Sequence, residues 1–203
     1  MDNKNNIRNA GLITVTGSLI GVGVSIALAA DTSFPTFGSV SLGEILTVIA
    51  FVTLFFGAIG LSRSGASGNS SGAKIGYGVV LLGLVVATIY EITLILQSQP
   101  SELPGILSGL LVGLGMLMVG VVVVQAQRWH GWRRFAPLLI GLYPLLMVFT
   151  YPLLESIPAV ADMNTLNLDQ ALTAIWFSCW LPLGMALSVE TGQEESGQPE
   201  LAG

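Results

Sequence analysis

The feature that most constrains this chain is a series of long apolar segments. Six of them lie at residues 10–30, 45–62, 75–97, 105–127, 136–154 and 169–189. A helix needs about 20 mostly apolar residues to cross a bilayer, and a helix satisfies its own backbone hydrogen bonds there. Only 9% of the residues are charged, against about 25% in a soluble domain. We therefore predict an all-α fold: a polytopic transmembrane bundle with six spans, forming one domain over residues 1–189.

The start of the second segment carries a helix-initiation pattern, Ser41-Leu42-Gly43-Glu44. In a capping box the serine side chain and the glutamate side chain each accept a hydrogen bond from the other residue's backbone N–H. This pattern predicts that the second helix begins at this box.

The basic residues predict the orientation. All seven precede the first span or lie in the loops after the second and fourth spans: Lys4, Arg8, Arg63, Lys74, Arg128, Arg133 and Arg134. Lysine and arginine are retained on the cytoplasmic side of a membrane. The alternate loops carry only acids. We therefore expect a multi-pass protein of the plasma (cell) membrane, such as a cell inner membrane, with both termini in the cytoplasm.

The first segment has an alternative interpretation. Lys4 and Arg8, the apolar run and Ala27-Leu28-Ala29 together resemble a secretory signal with its cleavage site. The run is longer than the usual signal core of roughly 7–15 residues, which favours a retained helix. Cleavage would leave five spans and an external N-terminus, and the mass of the mature protein distinguishes the two cases.

The loops suggest three helical hairpins that each turn on the outer side of the membrane. Each outer turn contains proline and an acid, which fits either an old triplication or ordinary short loops. The Ser/Gly-rich loop 62–73 is expected to be flexible. The tail 190–203 holds Glu194, Glu195 and Glu200 with Gly and Pro, and is predicted to be a disordered, acidic, cytoplasmic segment.

Small residues at four-residue spacing predict how the spans pack. Such residues let membrane helices approach closely, either within one chain or between copies. The candidate packing glycines are Gly17, Gly21, Gly83, Gly105, Gly109 and Gly113. They predict a tight bundle in which the first and fourth spans make central contacts, and they also allow a homo-oligomer or a partner membrane subunit.

The loop between the fourth and fifth spans combines basic and aromatic residues. Tryptophan favours headgroup level, and arginine there attracts anionic lipid. We interpret the loop as a lipid-interface anchor; docking of a cytosolic partner is the alternative. The anchor residues are Arg128, Trp129, Trp132, Arg133 and Arg134.

Glu91 is the only charged residue well inside a predicted span. It continues the face of Gly83 and Ala87, so it is expected to point into the bundle. The candidate hydrogen-bond partners are hydroxyls in the outer halves of other helices, such as Tyr151, Thr150, Ser108 and Thr173. An ionisable residue in the membrane indicates a proton or cation site. A protonated glutamate joining two helices is the structural alternative.

Several chemistries lack their residues in this sequence. It contains no H-E-x-x-H motif or P-loop, and its only histidine, His130, lies in a loop. Seven basic residues do not make a nucleic-acid surface. We therefore expect no enzyme activity, no cofactor, no metal site and no nucleic-acid partner. Two classes remain: a non-enzymatic membrane component (scaffold, accessory subunit or lipid-interacting protein), or a small proton- or cation-linked transporter or channel that uses Glu91.

Overall fold

The computed structural model describes residues 3–30, 33–38, 40–96, 101–155 and 165–189, and these residues are almost entirely helical. Two short strands, β1 (Thr36–Phe37) and β2 (Val40–Ser41), pair antiparallel with Thr36 opposite Ser41. A 3-10 helix covers Gly131–Phe135. The six long helices are α1 (Asn3–Ala29), α2 (Leu42–Arg63), α3 (Ser71–Leu96), α4 (Leu103–Ala126), α5 (Ala136–Glu155) and α6 (Thr165–Val189).

The prediction of six apolar helices is confirmed. Six helical stretches in the described part of the chain are long and apolar enough to cross a membrane. They fit a multi-pass membrane protein. Helix α1 begins well before residue 10 because its first turns contribute to the core through the buried side chains of Ile7 and Ala10. The tail predicted to be disordered, 190–203, lies outside the described residues.

The predicted capping box at the start of α2 is present. The Glu44 backbone N–H donates to the Ser41 hydroxyl at 3.1 Å, and the Ser41 N–H donates to the Glu44 carboxylate at 2.6 Å. The Leu42 N–H also donates to the Pro35 carbonyl at 2.8 Å. These bonds satisfy backbone donors that the first turn of a helix leaves without partners, so β2 passes directly into α2.

The helices form two groups of three. In one group α1 packs between α2 and α6, and in the other α4 packs between α3 and α5. Contacts of α2 with α3 and of α5 with α6 join the two groups, and α2 also contacts α6. Helices α1 and α4 are therefore the middle members of their groups.

Large side chains fill the interior of both groups. Each of the helices α2, α3, α4, α5 and α6 contributes fully buried apolar side chains: Leu54, Leu61, Leu84, Met116, Ile140 and Leu183. Between α2 and α6, the ring centroid of Phe51 lies 5.2 Å from the centroids of both Trp176 and Phe177. The centroids of Trp176 and Trp180 are 6.0 Å apart. Tilted and edge-on ring pairs of this kind stabilise a core beyond the area that they bury.

Candidate functional site

Glycines bring α1 and α6 into backbone contact. A Cβ atom built on Gly184 would lie 2.9 Å from the Val15 backbone nitrogen and 3.0 Å from the Gly11 carbonyl oxygen. A Cβ on Gly11 would in turn lie 2.7 Å from the Gly184 carbonyl oxygen. Because the obstructing atoms belong to the backbone, no side-chain rotation makes room there. We call this contact the α1–α6 seam.

Helices α3 and α4 repeat the same arrangement. A Cβ on Gly115 would lie 2.8 Å from both the Val80 backbone nitrogen and the Gly76 carbonyl oxygen. In both seams a glycine faces a Gly-x-x-x-Val segment, Gly11 to Val15 in one and Gly76 to Val80 in the other. We call this contact the α3–α4 seam. Small residues are the usual means of close helix approach in membranes.

The glycines predicted from the sequence lie at or near helix contacts, and Gly83 lies within the α3–α4 contact, where its Cβ would be 2.8 Å from the Val112 backbone nitrogen. Gly17 faces Thr53 of α2, Gly21 faces Phe177 of α6, Gly83 faces Val112 of α4, Gly105 faces the ring of Tyr90, and Gly113 faces Pro144 and Leu145. All five therefore contact other helices of the same chain. Gly109 differs, because the nearest atom to a Cβ built there is Pro144 Cβ at 3.8 Å, an ordinary packing distance.

Spacing alone did not identify the glycines that define the two seams, Gly11, Gly76, Gly115 and Gly184. The sequence signal for the first two is a glycine followed four residues later by valine. That pattern gives no indication of the helix that faces it. Each seam also depends on a second glycine that is distant in the sequence, and only the fold places the two glycines opposite each other.

Glu91 lies on α3, five residues before its last residue, Leu96, and its side chain is half-buried. No hydrogen bond or ion pair joins its carboxylate to another residue in the described part of the chain. Two of the hydroxyl partners expected from the sequence donate elsewhere: Ser108 to the Gly105 carbonyl at 2.7 Å, and Thr150 to the Leu146 carbonyl at 2.9 Å. The side chain of Tyr151, another expected partner, lies outside the described part of the structure.

Three acids surround Tyr90, the residue before Glu91, but they do not form a chelating group. Glu91, Glu102 and Asp169 all lie within electrostatic range of Tyr90, whose ring rests on Gly105. Among the described residues, no group of three His, Cys, Asp or Glu side chains is arranged to hold a metal ion. The arrangement offers negative charge near one end of the bundle, which we call the acidic end.

The predicted lipid-interface loop has two different faces. Trp132 is 52% exposed, but Trp129 is only 4% exposed and belongs to the core. The Arg134 guanidinium lies over the ring of Phe135 at 4.7 Å, and its buried Nε has no hydrogen-bond partner among the described residues. Trp129 therefore does not occupy the headgroup-facing position predicted for it, because its ring packs against the bundle instead.

Arg128, from the loop between α4 and α5, contacts the loop between α2 and α3. Its guanidinium donates to the Gly65 carbonyl at 3.3 Å and lies over Gly68. Both glycines have positive φ, 74° and 61°, which glycine adopts without steric cost. The Tyr77 hydroxyl donates to the Leu61 carbonyl at 3.3 Å and hydrogen-bonds the buried Ser67 hydroxyl at 3.1 Å. These contacts hold residues of the loop on the bundle, although the loop's composition predicted flexibility.

Comparison of the chain with protein-family profiles, with curated proteins and with solved structures gave no match. The class of the protein is therefore inferred from the length, apolarity and packing of its helices. Six apolar helices of membrane-spanning length, packed through glycine seams, fit a multi-pass membrane protein.

Proposed function

We propose that this protein is a non-enzymatic component of the plasma membrane: a scaffold, an accessory subunit or a lipid-interacting protein. The observation that carries the proposal is the pair of glycine seams, which bring helix backbones together in both halves of the bundle. Between α2 and α6 the interior is occupied by aromatic rings. Such packing favours a protein that works by presenting a stable surface in the membrane.

The proposed topology is three consecutive hairpins with both termini in the cytoplasm. It is supported by the helix ends, since the start of α1, the end of α2, the start of α3 and the end of α4 carry basic residues. Arg128 contacts the loop after α2, and Arg63 and Asn6 line one groove, so these ends lie together. We call this the basic end. Retention of basic residues inside the cell would place it in the cytoplasm.

Single cysteines test this topology. Cys179 is buried in α6, so a Cys179→Ala background removes it. Asn69→Cys places an exposed thiol at the basic end, and Ser101→Cys places one at the acidic end. In intact cells a membrane-impermeant maleimide is expected to label the second variant alone. Labelling of the first alone would reverse the orientation.

The native mass of the protein in mild detergent tests the functional proposal. A scaffold or accessory subunit is expected to retain an unrelated membrane subunit in fixed stoichiometry, and a lipid-interacting protein is expected to retain lipid. Purified protein in liposomes is expected to pass no more protons or cations than empty liposomes do. Flux above that background would contradict the proposal.

Glu91 supports a second candidate, a small proton- or cation-linked transporter or channel. The supporting observation is a half-buried carboxylate without a described hydrogen-bond partner, next to Tyr90, which also lies within electrostatic range of Glu102 and Asp169. An intramembrane ionisable residue is a functional candidate by default. Glu91→Gln keeps the shape of the side chain and removes its charge. Flux that is present in wild type and lost in Glu91→Gln would favour this candidate over the first.

A further inference from the structure

A groove lies between the start of α1 and the end of α2, at the basic end. Its volume is about 280 Å³, close to the lower limit of roughly 300 Å³ for small-molecule pockets. Polar side chains form its rim, and apolar side chains form its walls. The rim is Asn6, Asn9 and Arg63, and the walls include Ile13, Phe56 and Ile59.

Two small residues create the groove by forming its floor. A Cβ on Gly60 would lie 2.9 Å from Ala10 Cβ, so α1 and α2 meet closely at that level. Longer side chains stand on either side of this contact, with Ile13 36% exposed and Phe56 44% exposed. The result is an apolar trough between two helices that opens to the outside of the bundle.

The rim carries positive charge that no described residue neutralises. Arg63, Asn6 and Asn9 are exposed, and none of them forms a hydrogen bond or ion pair with another residue in the described ranges. An arginine guanidinium matches the oxygens of a phosphate in geometry as well as charge. Carboxamide groups beside it add hydrogen-bond donors and acceptors.

We propose that this groove binds one anionic phospholipid, with its phosphate at Arg63 and an acyl chain along Ile13, Phe56 and Ile59. The inference rests on the proposed function as a lipid-interacting component, and it identifies the lipid class and the site. Charge complementarity selects an anionic headgroup, because the Arg63 charge has no described partner. The apolar walls select a lipid over a free phosphate, because only an acyl chain covers them. Basic pockets between membrane helices bind anionic headgroups by the same physics.

Native mass spectrometry of the full chain, released from bilayers with equal phosphatidylglycerol and phosphatidylcholine, tests the groove. Wild type is expected to retain one phosphatidylglycerol in roughly tenfold preference, which corresponds to about 1.4 kcal/mol. Arg63→Gln is expected to abolish the preference. Arg8→Gln removes the same charge from the same end outside the groove lining, and it is expected to keep the preference.

A second pair of variants tests the walls without changing charge. Ile13→Trp fills the trough and is expected to reduce total lipid retention. Leu12→Trp places the same ring on the adjacent, 48% exposed position outside the groove, and it is expected to retain lipid as wild type does. Both positions are partly or fully exposed, so folding is checked simply by size-exclusion elution.

Three outcomes would overturn the groove as a lipid site. They are retention that favours neither headgroup, a preference that survives both Arg63→Gln and Ile13→Trp, and displacement of the lipid by soluble glycerol phosphate at equal concentration. None of them changes the expected co-purification or liposome-flux results, so failure of the groove and failure of the proposed function are distinguishable.

Discussion

The α1–α6 and α3–α4 seams share one backbone geometry but differ in the polar groups beside them. Next to the α3–α4 seam, the buried Ser108 hydroxyl donates to a carbonyl of its own helix. In the α1–α6 half, the Ser18 hydroxyl and the Trp180 indole N–H are fully buried and lack hydrogen-bond partners in the described structure. A buried polar group without a partner costs about 1–3 kcal/mol. Close backbone packing is therefore the contact between α1 and α6 that the described residues show.

The largest expected effect comes from adding one methyl group to each seam. Gly184→Ala and Gly115→Ala each place a Cβ within about 3 Å of backbone atoms of the facing helix. We expect each to destabilise the fold by about 1–3 kcal/mol through overpacking, measured as a lower midpoint of thermal unfolding in detergent.

The chain supplies a matched control on the partner helix of each seam. A Cβ on Gly23 of α1 or Gly78 of α3 meets no atom within 4 Å. Their alanine variants are expected to be neutral or slightly stabilising, because alanine is the better helix former. If Gly184→Ala behaved like Gly23→Ala, the α1–α6 seam would not be a close contact.

A smaller effect of opposite sign distinguishes the two seams. Ser18→Ala removes an unpartnered hydroxyl and is expected to raise the free energy of unfolding by about 1 kcal/mol. Ser108→Ala removes a satisfied hydroxyl and is expected to leave stability unchanged or slightly reduced. Denaturant titration of both variants checks the difference. A loss of stability in Ser18→Ala would show that this hydroxyl has a partner in the membrane.

An effect of similar or smaller size concerns how the two groups of helices are joined. The Tyr77 hydroxyl donates from α3 to a carbonyl of α2, and the Tyr143 hydroxyl donates from α5 to the Leu172 carbonyl of α6 at 2.6 Å. Each phenylalanine variant is expected to cost about 0.5–1.5 kcal/mol. Hydrogen exchange is expected to rise in the loop 64–70 for Tyr77→Phe, and in α6 near Leu172 for Tyr143→Phe.

Increased hydrogen exchange outside the expected junctions would also be informative. If Tyr77→Phe increased exchange throughout α1 to α6 equally, the two groups would unfold as one cooperative unit. Exchange confined to each junction would support their description as two groups of three.

The sequence predicted the positions of the helices more reliably than the contacts of individual side chains. The capping residues Ser41 and Glu44 act within four residues of each other, so local sequence was sufficient to predict their bonds. Trp129 was predicted to face lipid headgroups, yet it is buried. Its position depends on how α4 ends at Gln127, which adopts a left-handed conformation with φ of 50°. Glu91 lies inside a long apolar helix as predicted, but the bonds of Ser108 and Thr150 to carbonyls of their own helices were not foreseeable from spacing.

The sequence by itself determined the six apolar helices, because helix formation in lipid depends on segment length, apolarity and local backbone bonding. The order of the helices around the bundle was decided only by the tertiary structure. Gly11 meets Gly184, and Gly76 meets Gly115, because their backbones fit together there. Most apolar side chains can face lipid or protein at nearly equal cost, so hydropathy carries little information about which helix faces which.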